Sequence, residues 1–318
     1  MSIAPPDRDL KWIKQSLQAA ISLELATLPP YLCAFWSIKD RSIAIGQTIR
    51  SIVMEEMAHM GLACNMLTAI GGDPDILAAV PTYPGQMPGG VKPELTIQLA
   101  GLTREQVAVF MEIEEPDWPP VARMDVTYPS IGAFYAALEA AFTEVRPTIT
   151  PVRQMGSQGG PVFPFNSLDD VTAAIRIIRE EGEGSPADPD PGGELAHYYQ
   201  FGELFNGRAI VLDPATGEWG YTGDPVPFPT PDQLYPMGPV PAGGWPDPAP
   251  EVGAKLAEFN QLYRDMLTDL NTAWATGDPS HLRNAVGKMR GLATPAVELM
   301  AIPLPGPTGL TYGPEFRI

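Results

Sequence analysis

Two segments of the 318-residue chain set a carboxylate three positions before an imidazole: Glu56 and His59 in MEEMAHM, and Glu194 and His197 in GELAHYY. Together they use two of only three histidines. At about 100° per residue on an α-helix, that spacing puts both side chains on one face, where they can grip a single ion. The first pair lies inside the apolar run IVMEEMAHMGLACNML (52–67). Burying even a neutral polar group there without a partner costs on the order of 2 to 7 kcal/mol, and a bound metal removes that cost. Carboxylates are hard, anionic and able to bridge, and neutral imidazole suits iron. A helical bundle that holds two metals takes a Glu from each of two helices and Glu-x-x-His from each of two others. Glu24, on the stripe Leu17, Ile21, Glu24, Leu28, and Glu139, beside the stripe Ile131, Tyr135, Leu138, Phe142, complete such a set. Glu183 competes with Glu139 for the fourth-helix role. The expected cofactor is two iron ions, with manganese as the alternative, and open positions would admit dioxygen, peroxide or a substrate.

Other candidates read as structure. The acidic runs at 112–115 and 180–183 fit solvated faces or helix ends, Glu183 excepted. Met54, Met57, Met60 and Met66 follow helix packing and read as core filler, not as a copper box. His281 reads as a surface or helix-start residue.

The elements that must position these residues are mostly helical. The pattern predicts helices over about 9–38 and 43–70, the first interrupted or kinked at Pro29-Pro30 and the second stopped at Gly71-Gly72. Glu55 can turn outward from the second. A shorter helix at 102–116, with Thr103 and Gln106 at capping-box spacing, reads as peripheral. Further helices are expected at 130–145, 167–184, 194–208, 251–277 and 280–302, with a small hairpin around DPATG at 209–223. Proline-rich stretches at 81–93, 188–193 and 225–250 separate them; the last is as compatible with disorder as with order. The class is mainly α, one domain over 1–318, with its core bundle at about 9–208.

Twenty Lys and Arg against 38 Asp and Glu leave a net charge of −18, which opposes binding to nucleic acid or an anionic membrane. A small-molecule substrate and a homo-oligomer fit better. Cys33 and Cys64, both inside apolar patterns, read as buried free thiols, and with no apolar core of signal-peptide length near residue 1 the expected location is cytoplasmic.

Several ordered motifs act together: IRSIVMEEMAHMGLACNMLTAIGGDP, PTYPGQMP, LTREQVAVFMEIEEP, SIGAFY, EEGEG, ELAHYYQFGELF, GYTG and a closing GPEF. From about residue 10 to 316 the chain resembles the ferritin-like family typified by iminophenyl-pyruvate dimer synthases. The resemblance implies a ferritin-like four-helix bundle with added C-terminal helices, and metal ligands at Glu24, Glu56, His59, Glu194 and His197, with Glu139. It also implies an oxidoreductase of bisindole-type secondary metabolism that oxidatively dimerises an imine made from an aromatic amino acid. The opposing readings are an iron-oxidising or iron-storing bundle with no organic substrate, and a bundle kept as scaffold only.

Overall fold

The computed structural model describes residues 8–117, 127–191 and 193–318, so the first residues of the N-terminal stretch and Gly192 of the DPDPGG break lie outside the described residues. Two long helices form the frame. α1 (Leu10–Ser37) starts on Asp9, whose carboxylate accepts from the Trp12 N–H at 2.8 Å. Ile13, Leu17, Ala20, Ile21, Leu23, Tyr31 and Cys33 are fully buried, as expected of a helix apolar on nearly every face. By length and composition α1 could cross a membrane, but 83% of that window is buried inside the protein.

Of the kink or interruption expected at Pro29-Pro30, the interruption does not occur: α1 runs through both prolines. A proline at position 30 leaves the Ala26 carbonyl without its helical N–H donor. The Tyr83 hydroxyl supplies a replacement, donating to the Ala26 carbonyl at 2.8 Å.

α2 (Ala44–Ala69) returns antiparallel, and Lys14, near the start of α1, donates to the Gly71 carbonyl just past its end. Gly71 has φ +71°, a left-handed conformation that glycine adopts without steric cost. The other two bundle positions are each split into two shorter helices. α3 (Arg104–Glu114) and α4 (Ile131–Val145) both lie against α1, while α5 (Leu168–Gly182) and α6 (His197–Asn206) both lie against α2. α3 pairs with α6, and α4 with α5. Thr103, Ser130 and Ser167 cap α3, α4 and α5 by accepting from the backbone N–H three residues on, and Asp170 completes a capping box with Ser167. Each cap satisfies a donor that the first helical turn leaves open.

β1 (Gly85–Gln86) and β2 (Thr96–Ile97) make one antiparallel pair, and β3 (Val211–Leu212) with β4 (Trp219–Gly220) makes the hairpin expected around DPATG. The proline-rich 225–250 segment is fixed to the bundle: the Tyr235 N–H donates to the Ser37 carbonyl, and the Val240 N–H to that of Leu99. α7 (Pro250–Thr276), α8 (Pro279–Gly291) and α9 (Ala293–Met300) close the chain, α7 against α2 and α9 against α1. Trp274 on α7 donates its indole N–H to Asn65 of α2 at 2.9 Å.

Candidate metal centre

The two helix splits converge on one place. Glu114 is the last residue of α3, Gly132 stands at the start of α4, Glu183 follows the end of α5, and His197 opens α6. Facing them from the unbroken pair are Glu24 of α1 and Glu56 and His59 of α2. Each of Glu24, Glu56, His59, Glu114 and His197 is 2% exposed or less.

These side chains fall into two ligand groups that share one carboxylate. Glu24, Glu56 and His59 each present an oxygen or ring nitrogen within 4.8 Å of the others, and Glu56, Glu114 and His197 do the same. The two imidazoles lie 5.7 Å apart, inclined at 29°. Both turn Nδ1 inward: His59 Nδ1 is 3.7 Å from Glu56 Oε1, and His197 Nδ1 is 2.8 Å from that same oxygen. Both turn Nε2 outward onto a carboxylate, His59 to Glu181 Oε2 and His197 to Glu55 Oε2, each at 2.8 Å. A carboxylate on the far nitrogen of a ligand histidine fixes its tautomer and orientation.

The terminal carboxylates are matched in the same way. The Tyr135 hydroxyl donates to Glu24, and the Tyr31 hydroxyl to Glu114. Thr27 Oγ1 lies 2.8 Å from Glu56 Oε2. Glu183 accepts from the Gly132 N–H at 2.6 Å and from Ser130 Oγ at 3.1 Å.

Burial, reinforced by the Glu56 charge, pushes the pKa of both Glu24 and Glu114 up to about 8. Burial pushes Glu183 up to about 7, against the pull of Gly132 and Ser130. For Glu56 burial is outweighed by His197 and His59, which hold it well below the usual carboxylate range. The imidazoles move the other way: burial opposes their charge, but Glu181 and Glu56 raise His59, and Glu55 and Glu56 raise His197 to about 10. The metal-free cluster is therefore a protonated one, with Glu56 ionised between two imidazolium rings.

The donor set fits a pair of metal ions. Glu24, Glu56, Glu114 and Glu183 carry four negative charges when ionised, which two divalent cations neutralise. His197 Nδ1 is fully buried and makes no hydrogen bond of acceptable geometry despite its 2.8 Å approach to Glu56, so once it gives up its proton its lone pair is free for a metal. Hard carboxylates with neutral imidazole suit iron or manganese.

Of the residues expected from the sequence, Glu24, Glu56, His59 and His197 come together here. Glu194 does not. α6 begins at His197 rather than 194, because Ala196 is extended (φ −63°, ψ 154°) and Gly193 turns the chain at φ +86°. Glu194 is left exposed in the loop, and the three-residue spacing that aligns side chains on a helix has no meaning there. Glu139 is turned away as well, its Oε2 3.3 Å from Arg179. Glu183, the alternative to Glu139, lines the cavity at the cluster but belongs to neither of the two ligand groups. Glu114 was hidden in an acidic run, and the short helix that carries it is part of the bundle, not peripheral. Its signal was phase, since Val107, Phe110 and Glu114 lie on one buried stripe at spacings of three and four. Glu55, expected to face outward, instead holds His197.

The ferritin-like family model matches residues 17–206, more than half of the chain and the whole of the cluster. The chain belongs to the ferritin-like family. The fold of this ferritin-like protein is also that of a ferritin-like protein from Caulobacter vibrioides, whose crystal structure is similar at 24% identity and a TM-score of 0.69, over 91% of this chain and 94% of that one. No curated protein matches the sequence.

Proposed function

We propose that this protein is a dinuclear non-haem metal oxidase or oxygenase, using iron or manganese and dioxygen or peroxide to oxidise a small metabolite. The observation that carries the reading is Glu56, the one carboxylate common to both ligand groups. One ion would be held by Glu24, Glu56 and His59, the other by Glu56, Glu114 and His197. Bound metals would supply the redox chemistry between oxidant and substrate. The residues of the chain set the conditions for it. Tyr135 and Tyr31 orient the terminal carboxylates, Glu181 and Glu55 keep both Nδ1 atoms directed inward, and Phe110 and Phe201, packed 4.6 and 5.1 Å from the Tyr31 ring, exclude water on that side.

A cleft of about 620 Å³ opens beside the cluster and offers room for a metabolite. The motif resemblance supports the narrower reading of oxidative imine dimerisation. The cleft favours a polar substrate over an aromatic one, since no aromatic side chain lines it among the described residues.

A second reading, iron oxidation without an organic substrate, is favoured by the cavity at the cluster itself. That cavity measures about 10 Å³, room for one water-sized particle. Aerobic ferrous titration followed by a chelator wash and size exclusion separates the two. An oxidase saturates near two tightly held ions and forms no mineral; retention of tens of iron atoms per chain would establish the second reading.

A further inference from the structure

A separate space in the protein is wholly apolar. Between α1, α2, α7 and the end of α8 lies a cavity of about 20 Å³, and no polar atom faces into it. Tyr263, its one lining residue with a polar side chain, presents only the ring, and Pro29 has no N–H to offer. Eight of the ten lining residues are buried; the two that reach solvent are Met57 and Met289. Those methionines therefore form the mouth. The inner walls belong to the helices that carry the cluster: Leu25 and Met57 directly follow Glu24 and Glu56, and Leu28 lies one turn beyond Glu24 on the same buried stripe.

We infer that this cavity holds dioxygen for the metal centre, admitting it from solvent between Met57 and Met289. The inference takes its purpose from the dioxygen chemistry proposed above, whereas occupancy by the gas stands independently of any metal. Size and wall chemistry together select the occupant. A cavity of about 20 Å³ accommodates one or two water-sized particles, enough for a diatomic molecule and too little for an organic one. A water there would find none of the polar partners that hold a buried water. An apolar molecule of the same size gains by leaving water for such a space. Hydrogen peroxide, which donates and accepts hydrogen bonds, is excluded for the same reason as water. The mouth suits a gas, because methionine is unbranched and flexible and its thioether can swing aside and return without breaking the apolar seal. None of the lining residues belongs to either ligand group, so the cavity is distinct from the centre it serves.

Dioxygen is paramagnetic, so NMR of isotopically labelled methionine methyl groups in the full-length, chelator-stripped protein under dioxygen pressure reads where the gas resides. Met266 is buried and lines the cavity, while Met66 is buried and does not. The Met266 methyl should relax severalfold faster under dioxygen than the Met66 methyl, and the same pressure of nitrogen should change neither. Met289→Phe puts a ring in the mouth; it should bring Met266 to the level of Met66, with a melting curve confirming that the variant is folded. In the iron(II)-loaded protein the same substitution should slow oxidation by dioxygen severalfold relative to oxidation by hydrogen peroxide. Equal relaxation at Met266 and Met66 in the unaltered protein overturns the inference. So does a Met289→Phe protein that has lost the Met266 effect but keeps the unaltered ratio of the two rates. A protein that takes up no iron(II) refutes the dioxygen chemistry, and with it the purpose assigned to the cavity, whatever the relaxation shows.

Discussion

The Tyr31 hydroxyl donates to Glu114 Oε1 at 2.5 Å from 83 residues away in the chain, and Tyr135 does the same for Glu24 Oε1 from 111 residues away. Burial raises both phenols well above their ordinary pKa, so each remains a donor to its carboxylate. The two halves of the centre are thus supported separately, Tyr135 with Glu24 and His59, Tyr31 with Glu114 and His197. Loss of such an outer partner typically weakens metal binding by about ten- to a hundredfold. Tyr135→Phe should therefore weaken one of two binding steps by about that factor and spare the other, and Tyr31→Phe should do the converse. Calorimetric titration resolves the two steps; equal weakening of both steps in each variant would show that the halves are not separately held.

Glu56 joins those halves, and this ranks the ligand substitutions. Glu56→Gln should remove both ions. His59→Ala, His197→Ala and Glu114→Gln should each leave about one ion per chain, because each belongs to one group only. Glu194→Gln, in the exposed loop, and Glu139→Gln, paired with Arg179, should retain two. Elemental analysis after a chelator wash distinguishes these outcomes, and full metal in both histidine variants would refute the centre.

How far the site was legible in the sequence follows from where each residue sits on its helix. Glu24, Glu56 and His59 lie within long uninterrupted helices, where phase alone assigns them to the buried face. Glu114 obeys the same rule, but its exposed neighbours Glu112 and Glu115 make the segment look solvated. Glu194 fails because a three-residue spacing carries meaning only when one helix spans both positions, and the start of α6 was set by the extended Ala196 rather than by composition. Glu183 lies just past the end of α5, where its direction depends on the cradle offered by α4, a contact between segments about fifty residues apart. The bundle with its added C-terminal helices was legible throughout. The four short helices were legible one by one, but not that they share two bundle positions, since that depends on which helices lie side by side.

The continuity of α1 through Pro29-Pro30 has its own test. Without the Tyr83 hydroxyl the buried Ala26 carbonyl is left without its donor, at a cost of about 1 to 3 kcal/mol. Tyr83→Phe should accordingly lower the Tm by several degrees with the metal content unchanged, because the Tyr83 hydroxyl serves the Ala26 carbonyl and Tyr83 belongs to neither ligand group. A Tyr83→Phe protein that melts with the unaltered one would show that the prolines need no such compensation.

Protons and metal ions compete for the same buried atoms, which fixes how the protein should respond to pH. Glu24 and Glu114 titrate at about 8 in the folded chain against 4.5 as ordinary side chains, and His197 at about 10 against 6.5. Between pH 5 and pH 8 the folded metal-free chain therefore binds more protons than the unfolded one, and its stability must fall as pH rises through that range. Glu56 has the opposite sign: the stability it contributes is present above 4.5 and lost as pH falls further, so the metal-free protein should be most stable near pH 5. Two divalent ions replace these protons, so their stabilising effect should grow over the same interval in which the metal-free protein weakens. Melting curves at pH 5, 6, 7 and 8, with and without manganese(II), should show the metal-free Tm declining and the gap between the curves widening. At pH 7 the protons on Glu24, Glu114, His59 and His197 must leave for the metals to bind, a release of more than two protons per chain that calorimetry in buffers of different ionisation enthalpy measures. A metal-free Tm that rises from pH 5 to pH 8, or metal binding with no proton release, would mean that the cluster is already ionised and that its charges are balanced by something other than the protons assigned here.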